Sequence, residues 1–292
     1  MGIHYYDSSP FPALTMETRL KPARAVASAG IPCLVWAEDA LSFALFVPTE
    51  LFALQLLVPD EDVEEAARAI TSDLPYKRLA APHPDWLDHK YIDPDQSSCF
   101  PRAVRLELTT PQLLRSEDDP VDIYLHPSSY FSFEVRDPSH SLSLVPPLSP
   151  ANSALRFPTR TAFLDAVIAT VLDPPLGFRH GKLGLRLGSY VSYINTYTLR
   201  ARPRVLPNGD LEPEHASVLA SLRPENRHWY EAKVRGKYDS WVEEVRARRA
   251  VLERIGRQTE ARKPFPRNRY DIWRRCVSAP LLVRIGCSPR VA

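Results

Sequence analysis

Glycine is scarce in this chain, with 10 residues in 292, about half of ordinary usage. That scarcity argues against a glycine-rich phosphate loop. Cysteine is also sparse: Cys33, Cys99, Cys276 and Cys287 lie far apart and form no Cys-x-x-Cys pair. A chain of this length folds without disulfides, so reduced thiols in an intracellular compartment are expected. No apolar run approaches the roughly 18–20 residues that cross a bilayer, and no membrane partner is expected. The first residues, MGIHYYDSSPFP, lack the apolar core of a secretory signal. Gly2 follows Met1, but His4-Tyr5-Tyr6-Asp7 is a poor continuation for myristoylation. By elimination the expected compartment is cytoplasmic or nuclear.

What is present is a globular composition: 44% hydrophobic and 25% charged residues, which excludes a mainly disordered or fibrous chain. The length suits one large domain or two ordinary ones. Proline is abundant, at 29 residues, about twice average usage, and it breaks helices and strands often. The net charge of +2 hides an asymmetry. Residues 38–137 carry 20 acids against 8 bases, and residues 244–292 carry 13 bases against 4 acids. The two ends are expected to attract each other or to remain solvated faces. The basic tail also interleaves aromatics with arginine (Phe265, Arg267, Arg269, Tyr270, Trp273, Arg274, Arg275), a pattern compatible with nucleic acid or a protein partner.

The periodicity predicts an α/β layer. Thr18–Ala29 reads as a helix closed by Gly30, Ile31–Trp36 as a short buried strand, and Ala37–Phe46 as a helix. Leu51–Val58 is nearly all apolar, which suits a central strand covered on both faces. Asp60–Ile70 reads as a helix capped by Asp60. Ala103–Leu108 and Val121–Leu125 read as further strands. Val145–Pro150 is a linker and the best internal boundary, separating a core over residues 15–145 from a mainly helical region over 150–292. In that second half, Arg160–Leu172 reads as an amphipathic helix, Lys182–Leu199 as another, and Pro224–Arg257 as one long charged helix.

One stretch carries a resemblance. Gly30, Ile31, Pro32, Trp36, Glu38, Asp39, Ala40 and Leu41, then Leu57, Val58, Pro59 and Asp60, then Ala66 and Ala67, resemble the pattern of a fungal family of nucleotidyltransferase-like proteins. The resemblance covers about 40 residues, with a weaker likeness through Tyr124-Leu125-His126. It implies an α/β (α+β) fold: a small mixed sheet with flanking helices of nucleotidyltransferase type. In that superfamily a turn opens a helix and cradles phosphates through backbone N–H groups. A later strand carries two alternate acids, which share one face and grip Mg²⁺.

The departures from that pattern matter more than the matches. Ala37 stands in place of the turn glycine and Glu38 in place of the next small residue. Glu38 puts negative charge where a phosphate would sit. On the strand, the places of the two acids read Ala53 and Gln55. The resemblance therefore implies a substrate site at Trp36, Ala37, Glu38, Ala53 and Gln55 whose metal clamp is gone. A non-catalytic binding or scaffolding protein without cofactor is the expectation. The alternative is an active Mg²⁺-dependent nucleotidyltransferase that recruits Glu38, Asp39, Glu107 and Asp122. A third reading is nucleic-acid binding through residues 262–275.

Other constellations are weaker. His83, Asp85, Asp88 and His89 form a polar loop that could bind zinc but reads first as solvated. The acids Asp60, Glu61, Asp62, Glu64 and Glu65 complement a helix N-terminus, and no metal site is expected. Asp122 with His126 could be an acid/base pair, and Ser128 or Ser129 a nucleophile, although no G-x-S-x-G elbow supports the latter. Tyr190, Tyr193 and Tyr197 read as core edge or interface.

Overall fold

Five strands form one mixed sheet in the order β1-β2-β5-β4-β3. They are β1 (Leu34–Trp36), β2 (Leu54–Val58), β3 (Tyr76–Arg78), β4 (Val104–Leu108) and β5 (Asp122–Pro127). Strand β2 pairs antiparallel with β1 and parallel with β5. Strand β4 pairs antiparallel with both β5 and β3. The computed structural model describes residues 7–79, 103–144, 152–173, 180–200, 203–237 and 240–258.

The two sheet faces are closed differently. Side chains alternate along a strand, so Leu54, Leu56 and Val58 face one way and Gln55 and Leu57 the other. The first face packs on helices α1 (Ala13–Arg19), α2 (Lys21–Ser28) and α4 (Val63–Asp73) through Met16, Leu20, Val26, Val63, Ala66 and Ile70. The second face, with Leu34, Trp36 and Leu57, packs on α5 (Arg160–Leu172) and α6 (His180–Tyr193). There Trp36 has no exposed surface, and its ring centroid lies 4.6 Å from that of Phe163. Helix α3 (Ala37–Ala44) links β1 to β2, with Leu41 in one core and Phe43 in the other.

Among the described residues the remaining elements are a short ribbon, β6 (Ser141–Leu142) with β7 (Phe157–Pro158), and helices α7 (Pro213–Ser221), α8 (Pro224–Val234) and α9 (Trp241–Arg254). The ribbon joins the sheet edge, because Leu34 bridges Arg156 and Val35 N–H donates to the Arg156 carbonyl at 2.9 Å. No helix among the described residues is long and apolar enough to cross a membrane.

Several expectations need correction. The helix expected over 18–29 is two helices broken at Leu20, with Pro22 in the first turn of the second. Asp60 does not cap α4: its carboxylate accepts from Ser129 N–H and Oγ, and the helix begins after Asp62. Helix α5 has the expected bounds but is not amphipathic, since Ala162–Leu172 are all buried. It is the central rod of the second core, with the sheet on one side and α6, α8 and α9 around it. The long helix expected over 224–257 is interrupted. Gly236 takes φ +69°, and Ser240 starts α9 with a reciprocal capping box to Glu243. That Ser-x-x-Glu signal is legible in the sequence. Helix α6 ends at Tyr193 and continues as a π-helical turn over Ile194–Thr198.

Candidate functional site

The polar side chains of the sheet gather on its second face, in rows set by strand register. One row runs Trp36, Gln55, Tyr124, Arg105 across β1, β2, β5 and β4. Beside it, Leu57 opposes His126 on one flank. On the other flank Lys77, Glu107 and Asp122 lie side by side. Leu57, His126, Glu107 and Asp122 are each two positions from a row-mate on their own strand, and Lys77 opposes Glu107, so all share a face.

Glu38 projects over this face from the first turn of α3. The turn that aims it is unusual, because Ala37 adopts φ +55°. A left-handed conformation costs a residue with a Cβ roughly 1–2 kcal/mol. The backbone thus keeps a conformation that suits glycine, although glycine is absent from the position. Glu38 is only 3% exposed, and its carboxylate is well partnered. Arg186 donates to Oε1 from Nη2 at 2.7 Å and from Nε at 3.2 Å. The Tyr190 hydroxyl donates to the same oxygen at 2.7 Å, and Gln55 Nε2 donates to Oε2 at 3.4 Å. Arg186 and Tyr190 are one turn apart on α6, so both reach one carboxylate.

The other candidate carboxylates are also each met by a cation. Asp39 has no exposed surface and forms a two-pronged pair with Arg19 of α1, which also binds the Phe52 carbonyl. Burial pushes the Asp39 carboxyl up to about 6, against the pull of Arg19. Asp122 receives Arg105 Nε at 3.0 Å and Nη2 at 2.9 Å. Glu107 pairs with Lys77 at 3.0 Å, which holds its carboxyl below the usual range.

Two aromatic groups complete the surface. The Tyr124 and His126 rings are near-parallel, with centroids 6.0 Å apart, and the Arg105 guanidinium lies 5.8 Å from the Tyr124 centroid. Burial, reinforced by the nearby Arg186, pushes the His126 imidazole down to about 3, so it is neutral at physiological pH.

The fit to Mg²⁺ follows from this donor set. Glu38 and Asp39 are adjacent but diverge, one to α6 and the other to α1. Ala53, just before β2, has no donor, and the Gln55 amide donates to Glu38. Among the described residues no three His, Cys, Asp or Glu side chains come together as a metal-holding group. The residues present do not fit a magnesium clamp. The face instead carries two guanidiniums, each paired with a carboxylate, two aromatic rings, and buried amide and hydroxyl groups bonded to Glu38.

The remaining sequence candidates divide plainly. Trp36 has no exposed surface and packs in the second core. Asp122 and His126 are not an acid/base pair. Four strand residues separate them by about 13 Å, and Asp122 is committed to Arg105. Ser129 hydrogen-bonds Asp60 rather than a base. Three of the acids at the start of α4 meet arginines: Arg136 pairs with Glu61 and Asp62, and Arg78 with Glu64. Tyr193 and Tyr197 form an edge-on pair, but Tyr190 is part of the site. His83, Asp85, Asp88 and His89, the linker 145–150, and Arg267, Arg269, Tyr270, Trp273, Arg274 and Arg275 lie outside the described residues. Sequence reasoning missed Arg186. Its signal was the i, i+4 spacing to Tyr190 within an otherwise apolar stripe. No protein-family model, no curated protein and no solved structure matches this chain.

Proposed function

We propose that this chain is a non-catalytic protein of nucleotidyltransferase-like plan that acts by binding or scaffolding. The order β1, turn, α3, β2 agrees with that plan, and so does the left-handed Ala37 in the turn. The observation that carries the reading is the ligation of Glu38. Arg186, Tyr190 and Gln55 occupy its carboxylate, and Gln55 stands where a metal-binding acid belongs. Removing either member of a buried, hydrogen-bonded charge pair leaves the other uncompensated, so the arrangement favours staying closed over recruiting a cation.

The active-transferase alternative has one observation in its favour: Glu107 and Asp122 oppose each other directly across β4 and β5. Their cations, Lys77 and Arg105, count against it. The full-length chain incubated with Mg²⁺ or Mn²⁺ and each nucleoside triphosphate separates the two readings. No release of pyrophosphate above background is the expected result. Release that disappears in Glu107→Gln or Asp122→Asn would overturn the proposal in favour of the enzyme.

A further inference from the structure

A second site lies away from the sheet face just described. The chain leaves α2 through Gly30, whose φ of +77° turns it toward β1. A cleft of about 380 Å³ opens beside this turn, between the entry to β1 and the β6–β7 ribbon. That volume is within the range of small-molecule sites. Ile31, Pro32 and Val135 give it an apolar wall, while Arg136, Ser141 and Arg156 supply the polar atoms. No carboxylate is among the lining residues.

The ribbon register aims two of these polar groups together. Ser141 opposes Pro158 and Leu142 opposes Phe157 in antiparallel pairing. Opposed residues share a face and side chains alternate. Arg156, two positions before Pro158, therefore lies on the same face as Ser141, while Phe157 fills the core behind. The Arg156 backbone is fixed by its bond from Val35 N–H, so its side chain leaves a rigid edge. Among the described residues its half-buried guanidinium meets no carboxylate, whereas Arg136 is engaged by Glu61 and Asp62.

We infer that this cleft binds a small organic anion. The planar guanidinium of Arg156 takes a carboxylate or phosphate by two parallel hydrogen bonds. The Ser141 hydroxyl donates a third, and the apolar body of the ligand rests on Ile31, Pro32 and Val135. Arg136 stays with Glu61 and Asp62, so the anion's charge is met by Arg156.

Benzoate and phenyl phosphate are the probes, titrated separately into the full-length chain and followed by ligand-observed NMR. Saturable binding of at least one is expected, and which of the two binds more tightly identifies the head group. Arg156→Gln should weaken that binding at least tenfold and Ser141→Ala several-fold, with unchanged melting temperatures because neither side chain supports the core. Arg186→Gln, which alters the sheet-face site, should leave it unaffected. Failure of both probes to saturate would overturn the inference. So would undiminished binding in Arg156→Gln, or binding lost only in Arg186→Gln.

Discussion

The two faces of the central sheet are closed by different chemistry. On one, Leu54, Leu56, Val58, Val104, Leu106, Ile123 and Leu125 meet α2 and α4 in an unbroken apolar layer. On the other, Gln55, Tyr124, His126 and Arg105 occupy the same strands one residue out of phase. An apolar layer needs only volume and pattern, so it tolerates any partner of the right shape. A buried polar layer must find specific donors and acceptors, or lose about 1–3 kcal/mol per unmatched group. Of the partners of Glu38, Gln55 is local, but Arg186 and Tyr190 come from α6, about 150 residues along the chain. The first face explains how the protein folds. The second is the face on which the proposed binding role rests.

Leu56→Ala on the apolar face should have the largest effect. The side chain has no exposed surface, and truncation of a core leucine costs about 2–5 kcal/mol. Urea unfolding should show this loss without altering any ligand response of the opposite face. On the polar face, Arg186→Met removes the cation from a buried carboxylate and should cost about 2–3 kcal/mol, the arginine being partly exposed. Adding Glu38→Gln to that variant should recover much of the loss. A double variant no more stable than the single would show that the pair does not close this face.

A titration sharpens the contrast further. Because the folded-state value of His126 lies near 3, the unfolded chain takes up its proton first as pH falls. The stability that His126 contributes is complete above about 6.5 and falls between there and pH 3, by at most about 1.4 kcal/mol per pH unit. Asp39 works in the opposite sense. With its folded value raised to about 6, its contribution is greatest below about 4 and is lost as pH rises through 6. Wild-type stability over pH 4–6 should therefore change little. His126→Gln should uncover the Asp39 slope, with stability falling toward neutral pH. A pH profile identical to the wild type would refute the assignment of both groups. The smallest effect belongs to the turn. Ala37→Gly relieves the left-handed strain and should raise stability by about 0.5–1 kcal/mol, the gain being limited by the backbone entropy of glycine.

How much of this was legible in the sequence follows the same division. The apolar run at Leu51–Val58, the alternation of Ala103–Leu108 and the helix over Ala37–Phe46 follow from local patterns, and the structure forms each of these elements within shorter bounds, at Leu54–Val58, Val104–Leu108 and Ala37–Ala44. The division of 224–257 into α8 and α9 was marked by Gly236 and by the Ser240–Glu243 box, but a sustained charged pattern masked it. The burial of α5 was also marked, because its residues are apolar nearly all round, and the amphipathic reading passed over that. What no local pattern encodes is the completed site. The resemblance places Glu38 and Gln55 and implies their shortage of metal-binding acids. That Arg186 and Tyr190 complete the carboxylate is a tertiary fact. The parting of Asp39 from Glu38, by contrast, follows from the local helix, since adjacent helix positions point in different directions.

The claim on which all of this rests is that the acids around β2 and β5 are neutralised by the protein's own cations and hold no divalent ion. Titration of the full-length chain with Mn²⁺, followed by electron paramagnetic resonance with and without nucleoside triphosphate, tests it most directly. The account requires that the protein add no bound Mn²⁺ beyond what the nucleotide alone retains. A stoichiometric protein-bound ion that is lost in Glu38→Gln or Asp122→Asn would contradict it.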